Sequence, residues 1–254
     1  MANWTADDGT KINFEIYGGQ DKEKPALLLL PGLLGTIQSQ WRKFIDPLSK
    51  DFRIVVMDLR GHGRSLNQSN TLQSEQMMND IIGLLDFLEM PVVHISGYSL
   101  GGYLGLMVAL SQPRRVASLL MHATKFYWTE DAAQKMQQQL RPDVMAEKVP
   151  TYANQLMQEH GARQWRELVR QAAMLIQQMR EQGLKERMLT NFQCSVLISV
   201  GDGDQLIPLP EAQRLSRVIK NGSLIVLPDV RHPFQTIKRM PLLPMMRHFH
   251  LEYA

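Results

Sequence analysis

Apolar and polar positions alternate over residues 10–17, where Ile12, Phe14 and Ile16 are separated by polar side chains; this predicts a strand with one buried face near a sheet edge. Gly18 and Gly19 end it, and 20–24 reads as a polar turn. Residues 26–30 are apolar throughout, the pattern of a strand covered on both faces in a largely parallel sheet. Further strands are predicted at 53–57, 92–95, 116–121, 196–200 and 223–227. Helical spacing falls between them. Trp41, Phe44, Ile45 and Leu48 share a face over 39–49, and Met77, Ile81, Leu84 and Leu88 share one over 74–89. Helices at 100–111 and 210–219 and a closing helix over 233–253 complete the series. Strand and helix alternating in this way predict an α/β fold with a doubly wound, mostly parallel sheet.

The pattern changes between 124 and 192. Strand-like runs vanish, Gln, Met, Glu and Arg become frequent, and helical periodicity appears over 130–140, 151–159 and 163–182. The expected division is a core of residues 1–123 and 193–254 with a helical cap of residues 124–192. Such a cap would lie over the carboxyl end of the sheet, where open α/β sheets bind ligands, with Phe126 and Trp128 among its substrate-facing residues. The alternative is an ordinary helical layer in which Met136, Met145, Met157, Met174, Met179 and Met188 fill core space.

Composition narrows the class. A chain of 254 residues, 44% hydrophobic and 21% charged, suits one globular α/β unit. The formal charge of +3 comes without a basic block, so nucleic acid is not an expected partner. Cys194 is the single cysteine, which excludes a disulfide within the chain and suggests a reducing, cytoplasmic location. No signal-like apolar segment follows Met1, and no apolar run approaches the ~20 residues that span a bilayer. A monomer or homodimer acting on a small molecule is expected.

One stretch changes the picture most. Gly97-Tyr98-Ser99-Leu100-Gly101-Gly102 stands between a predicted strand and a predicted helix. That context gives the G-x-S-x-G spacing its mechanical sense: the serine occupies a strained strand-to-helix turn, and small flanking residues let the backbones pass closely. At the helix N-terminus, the Leu100 N–H is placed to donate to an oxyanion. Serine is a poor nucleophile without an adjacent base that a carboxylate orients. His232 follows the last predicted strand, and acids follow the one before it. Of the other histidines, His62 and His94 read as structural, His122 ends a strand from which it could face the pocket, and His248 and His250 point in different directions on a helix. Neither a metal motif nor a nucleotide-binding loop is present, and no cofactor is expected.

The order serine, acid, histidine resembles that of the α/β-hydrolases, and the resemblance covers nearly the whole chain. Leu30-Pro31-Gly32-Leu33-Leu34-Gly35 is similar to the family's oxyanion loop, implying the Leu33 N–H as a partner of Leu100. Residues 58–65 resemble its D-x-x-G-x-G-x-S turn, and 201–208 its G-x-x-D-x-x-x-P acid loop, implying Asp204 as the acid with Asp202 as its rival. Pro31 departs from the histidine common there, and Tyr98 beside the serine either lines the pocket or packs.

The expected activity is cofactor-independent hydrolysis of a carboxylic ester or thioester of a small apolar substrate, through an acyl-enzyme on Ser99 with Asp204 and His232. The same three residues would also serve C–C, lactone or amide cleavage, and a non-catalytic ligand receptor is the reading from another class.

Overall fold

A computed structural model of the chain describes residues 2–19, 23–190 and 192–254. The turn expected at 20–24 therefore lies largely outside the described residues. The described strands are β1 (Ala2–Thr5), β2 (Lys11–Tyr17), β3 (Ala26–Leu30), β4 (Arg53–Met57), β5 (Val93–Tyr98), β6 (Val116–His122), β7 (Ser195–Gly201) and β8 (Gly222–Leu227). They form one eight-stranded sheet in the order β1-β2-β4-β3-β5-β6-β7-β8, parallel from β4 to β8 and antiparallel at β1 and β2.

Helices α1 (Arg42–Leu48), α2 (Ser74–Phe87) and α3 (Leu100–Ser111) alternate with β3 to β6. Four more follow β6: α4 (Glu130–Gln139), α5 (Pro142–Lys148), α6 (Pro150–His160) and α7 (Gln164–Gln182). The last two, α8 (Leu209–Val218) and α9 (Arg239–Glu252), follow β7 and β8.

The chain steps from β3 outward to β4, then crosses back over β3 to reach β5. Because parallel crossovers are right-handed, that reversal puts α1 on one face of the sheet and α2 and α3 on the other. Accordingly α1 packs against α9, and α2 against α3. The carboxyl ends of β3 and β5 lie side by side, with Leu30 opposite Gly97, and open sheets form their ligand crevice at such a reversal. Leu27, Leu28, Leu29 and Leu30 are buried. Each contributes about 1.5–3 kcal/mol, so the strand that carries the first loop of the crevice is held rigidly.

Four features differ from the sequence expectation. The edge strand is β1, which has too few apolar residues to register as a pattern; β2 is therefore interior, and its Asn13 and Glu15 are buried while Ile16 is exposed. Those polar groups are satisfied by partners distant in sequence: the Asn13 amide donates to Asp58 at 2.9 Å, and Glu15 accepts from Arg42 at 2.9 Å. Helix α5 is only seven residues long and starts at a proline, which hides it from periodicity. The closing helix begins at Arg239 rather than 233, because residues 234–236 make a separate tight turn and Met240 is extended. Half of the methionines expected to fill core space, Met157, Met174 and Met188, are exposed; Met136, Met145 and Met179 are buried or half-buried.

Candidate active site

Ser99 sits at φ 50° and ψ −114°, between the last residue of β5 and the first of α3. Few non-glycine residues adopt such a backbone, and here the neighbours enforce it. A Cβ on Gly97 would lie 2.3 Å from the carbonyl carbon of Gly101, and one on Gly101 would lie 2.2 Å from the Leu30 carbonyl oxygen. Both positions thus admit only glycine, and the turn lifts the serine side chain clear of the strand. The Ser99 N–H donates to the His122 carbonyl at 2.8 Å, which ties the turn to β6.

Three side chains that the sequence places far apart meet here. Ser99 Oγ is 3.4 Å from His232 Nε2, and His232 Nδ1 is 3.0 Å from Asp204 Oδ2. The Asp204 side chain is fully buried, and its other oxygen accepts from the backbone N–H groups of Leu206 and Ile207, both at 2.9 Å. These two donors occupy one carboxylate oxygen and leave the other for the imidazole. Asp202, by contrast, is exposed. A hydroxyl, an imidazole and a buried carboxylate in this relay can activate the hydroxyl for nucleophilic attack.

The histidine loop is clamped by aromatic rings. Phe234 meets Trp41 edge-on at 5.4 Å, Phe44 at 5.9 Å and Tyr98 at 4.9 Å between ring centroids. The Tyr98 hydroxyl donates to the His232 carbonyl, so Tyr98 both lines the cavity and holds the loop. Burial pushes its hydroxyl pKa upward and keeps the group a donor.

Above Ser99 opens a cavity of about 890 Å³ whose lining includes Leu33, Leu100, Tyr98 and Trp128. Two of the residues expected to face the substrate do not line it. His122 is fully buried behind Tyr98, stacked at 6.0 Å, and its Nδ1 lies 2.9 Å from Ser199 Oγ. Burial lowers its pKa to about 3 despite the attraction of Asp204, so it is a neutral wall behind the site. Phe126 is also buried, packed edge-on against Tyr127 at 5.0 Å. Residue order along the chain does not say which side chains meet the cavity; the tertiary packing decides it.

The loop after β3 is a turn closed by Gly35 N–H to the Gly32 carbonyl at 3.0 Å, with Leu34 at φ 60°. Gln40 accepts from the Gly32 N–H at 2.7 Å, and Asp58 accepts from the Ile37 N–H at 2.8 Å. Among the described residues the Leu33 N–H has no acceptor, and Leu100, first in α3, has no intrahelical one. Sequence patterning singled out neither Gln40 nor His160, which also reaches this loop: each is one polar residue on a helix, with nothing local to mark it. The described residues contain no cluster of side chains able to hold a metal.

The family model for the alpha/beta hydrolase fold matches residues 25–161, just over half of the chain. A protein of Agrobacterium fabrum named "Putative carbamate hydrolase RutD" is 37% identical over 111 residues, 43% of this chain and 42% of that protein. The chain thus aligns with less than half of that relative's length. A protein of the same name from Caulobacter sp. is 28% identical over 240 residues, 87% of this chain and 88% of that one. Among solved structures, a thermophilic esterase from Thermogutta terrifontis superposes over all of both chains with a TM-score of 0.83 at 22% identity, a likeness of fold. The strand order, the serine turn between β5 and α3 and the matched family model together place the chain in the alpha/beta hydrolase fold family.

Proposed function

We propose that the protein hydrolyses a carboxylic ester or thioester of a small apolar acyl group through an acyl-enzyme on Ser99. The observation that carries this reading is the meeting of Ser99, His232 and Asp204 at 3.4 Å and 3.0 Å at the floor of a cavity. His232 takes the Ser99 proton as Oγ attacks the carbonyl carbon, then returns it to the departing alcohol or thiol. Water, deprotonated by the same Nε2, attacks the acyl-enzyme and releases the acid. Asp204 holds Nδ1–H in place and stabilises the imidazolium.

The backbone N–H groups of Leu33 and Leu100 hold the oxyanion in this reading, each contributing about 3 kcal/mol to the transition state. Residues 124–192 act as a cap. From them Trp128, Met136, Leu140 and Met179 line the cavity, a mainly apolar wall suited to an aliphatic or aromatic acyl group. A second reading, cleavage of a carbamate or other amide-like bond, is favoured by the relative from Caulobacter sp., whose name describes a carbamate hydrolase and which aligns along most of both chains. C–C and lactone cleavage would use the same residues.

Turnover of p-nitrophenyl acetate with single labelling by a fluorophosphonate on Ser99 is the expected result, read by absorbance and by peptide mass analysis. A carbamate turned over faster than the ester would favour the second reading. Label on another serine, or none on folded protein, would remove Ser99 from the mechanism.

A further inference from the structure

We infer that His160 is a positioning residue for the loop that carries the Leu33 N–H, and that through it helix α6 couples the cavity wall to the oxyanion-binding groups. The inference rests on the reading of Leu33 as an oxyanion donor. His160 is the last residue of α6, is 3% exposed, and lies in the sequence segment between β6 and β7 rather than among the motifs of the sheet. Its ring spans two loops of the core. The Gly63 N–H donates to Nδ1 at 2.8 Å, so Nδ1 is the unprotonated nitrogen; Nε2 then carries the hydrogen and donates to the Leu34 carbonyl at 3.1 Å. Both ring nitrogens are therefore engaged, and a single tautomer satisfies both contacts.

The Leu34 carbonyl is a sensitive point to hold. The ends of the loop are tied by the core itself, at Gly32 through Gln40 and at Ile37 through Asp58. Between those ties Leu34 adopts φ 60°, a conformation that a leucine leaves readily when nothing restrains it. Its relaxation would rotate the peptide planes on either side, and the Leu33 N–H belongs to the same turn. The bond from His160 opposes that rotation. A second contact from the same helix end, Thr36 Oγ1 to Glu159 at 3.0 Å, holds the far side of the loop.

The same helix also forms part of the cavity wall through Tyr152 and Gln155. An acyl group that presses on this wall presses on the element that fixes Leu34. Seating of the substrate and alignment of the oxyanion donor would thus be linked through one histidine, with no contact between His160 and the substrate.

The test compares His160→Ala, His160→Gln and His160→Asn on p-nitrophenyl acetate, with kcat expressed per Ser99 titrated by a fluorophosphonate so that unfolded protein does not count. Glutamine places an amide N–H where Nε2 stood, within reach of the Leu34 carbonyl; asparagine places an oxygen near the Nδ1 position and restores only the Gly63 contact. His160→Ala is expected to lower kcat per titrated site by about 10- to 100-fold, with KM within about 3-fold, because a donor misplaced by a fraction of an ångström stabilises the transition state poorly. His160→Gln should recover most of that loss and His160→Asn should not. Wild-type kcat per site in all three variants, equal rescue by glutamine and asparagine, or a loss confined to KM or to the titratable fraction would overturn the inference alone. A wild-type protein with neither turnover nor label on Ser99 would overturn it together with the proposed function.

Discussion

Asp204 and Asp202 are two residues apart in one loop, yet their surroundings differ completely. The Asp204 carboxylate is fully buried, accepts two backbone N–H groups and faces Nδ1 of His232; Asp202 is exposed. In Asp204→Asn the amide oxygen stays on the two backbone donors, so the amide N–H₂ turns toward Nδ1. That favours the wrong imidazole tautomer, and kcat is expected to fall by about 10³- to 10⁴-fold with the fold intact. Asp202→Asn should stay within a few-fold of wild type. Steady-state kcat for both variants on one ester at one pH checks this, with circular dichroism to confirm folding; the reverse ranking would move the acid to Asp202.

At the scale of elements, residues 124–128 lead from β6 toward α4, and their side chains divide between core and cavity. Trp128 lines the cavity, as does Met136 on α4, whereas Phe126 is buried beside Tyr127. Trp128→Ala and Met136→Ala are therefore expected to shift the preference among p-nitrophenyl esters toward longer acyl chains, by about 10-fold or more in relative kcat/KM, since each removes part of the cavity wall. Phe126→Ala should leave that profile in place and instead cost about 3–5 kcal/mol of stability, the usual result of truncating a buried ring. Ester-length profiles and thermal melts of the three variants separate the two effects; a profile altered by Phe126→Ala alone would contradict the assignment.

At the scale of the whole molecule, the buried histidines set a limit on acid stability. His62, His94, His122, His160 and His250 are buried, and burial holds the pKa of each below 6.5, at about 3 for His62 and His122, about 4 for His94 and well below the ordinary value for His250. The neutral forms are fixed by specific partners: Ser118 Oγ lies 2.7 Å from both His94 Nδ1 and His250 Nδ1, and Ser96 Oγ lies 2.7 Å from His250 Nε2. An unfolded chain protonates these rings near pH 6.5 and the folded one does not. Their contribution is therefore complete above about pH 6.5 and is lost as pH falls toward the folded-state values, at up to about 1.4 kcal/mol per pH unit for each ring. Asp58 and Asp80, whose carboxyl pKa values burial raises, act in the opposite direction, but they are two groups against five. The urea midpoint is expected to fall steeply between pH 6.5 and 4.5; a flat profile over that range would mean that the rings become protonated in the fold.

The alternation of strand and helix and the serine turn were legible in the chain because each rests on neighbouring residues. Periodicity sets which backbone forms, and the clash of any Cβ at Gly97 or Gly101 leaves glycine as the sole choice around Ser99. The approximate places of His232 and Asp204 follow from the same local logic, as loops after successive strands. Tertiary structure alone decided the pairings across distance. It added β1 outside β2, buried Asn13 and Glu15 against Asp58 and Arg42, put His122 behind Tyr98, and gave Tyr98 the His232 carbonyl as a partner. It also brought His160 to Gly63 and Leu34, 97 and 126 residues away along the chain. Sequence patterns carry the period of a backbone and the width of its apolar face. They do not carry the identity of the group on the other side of that face, because it is supplied by a distant segment whose position depends on how every element between them packs.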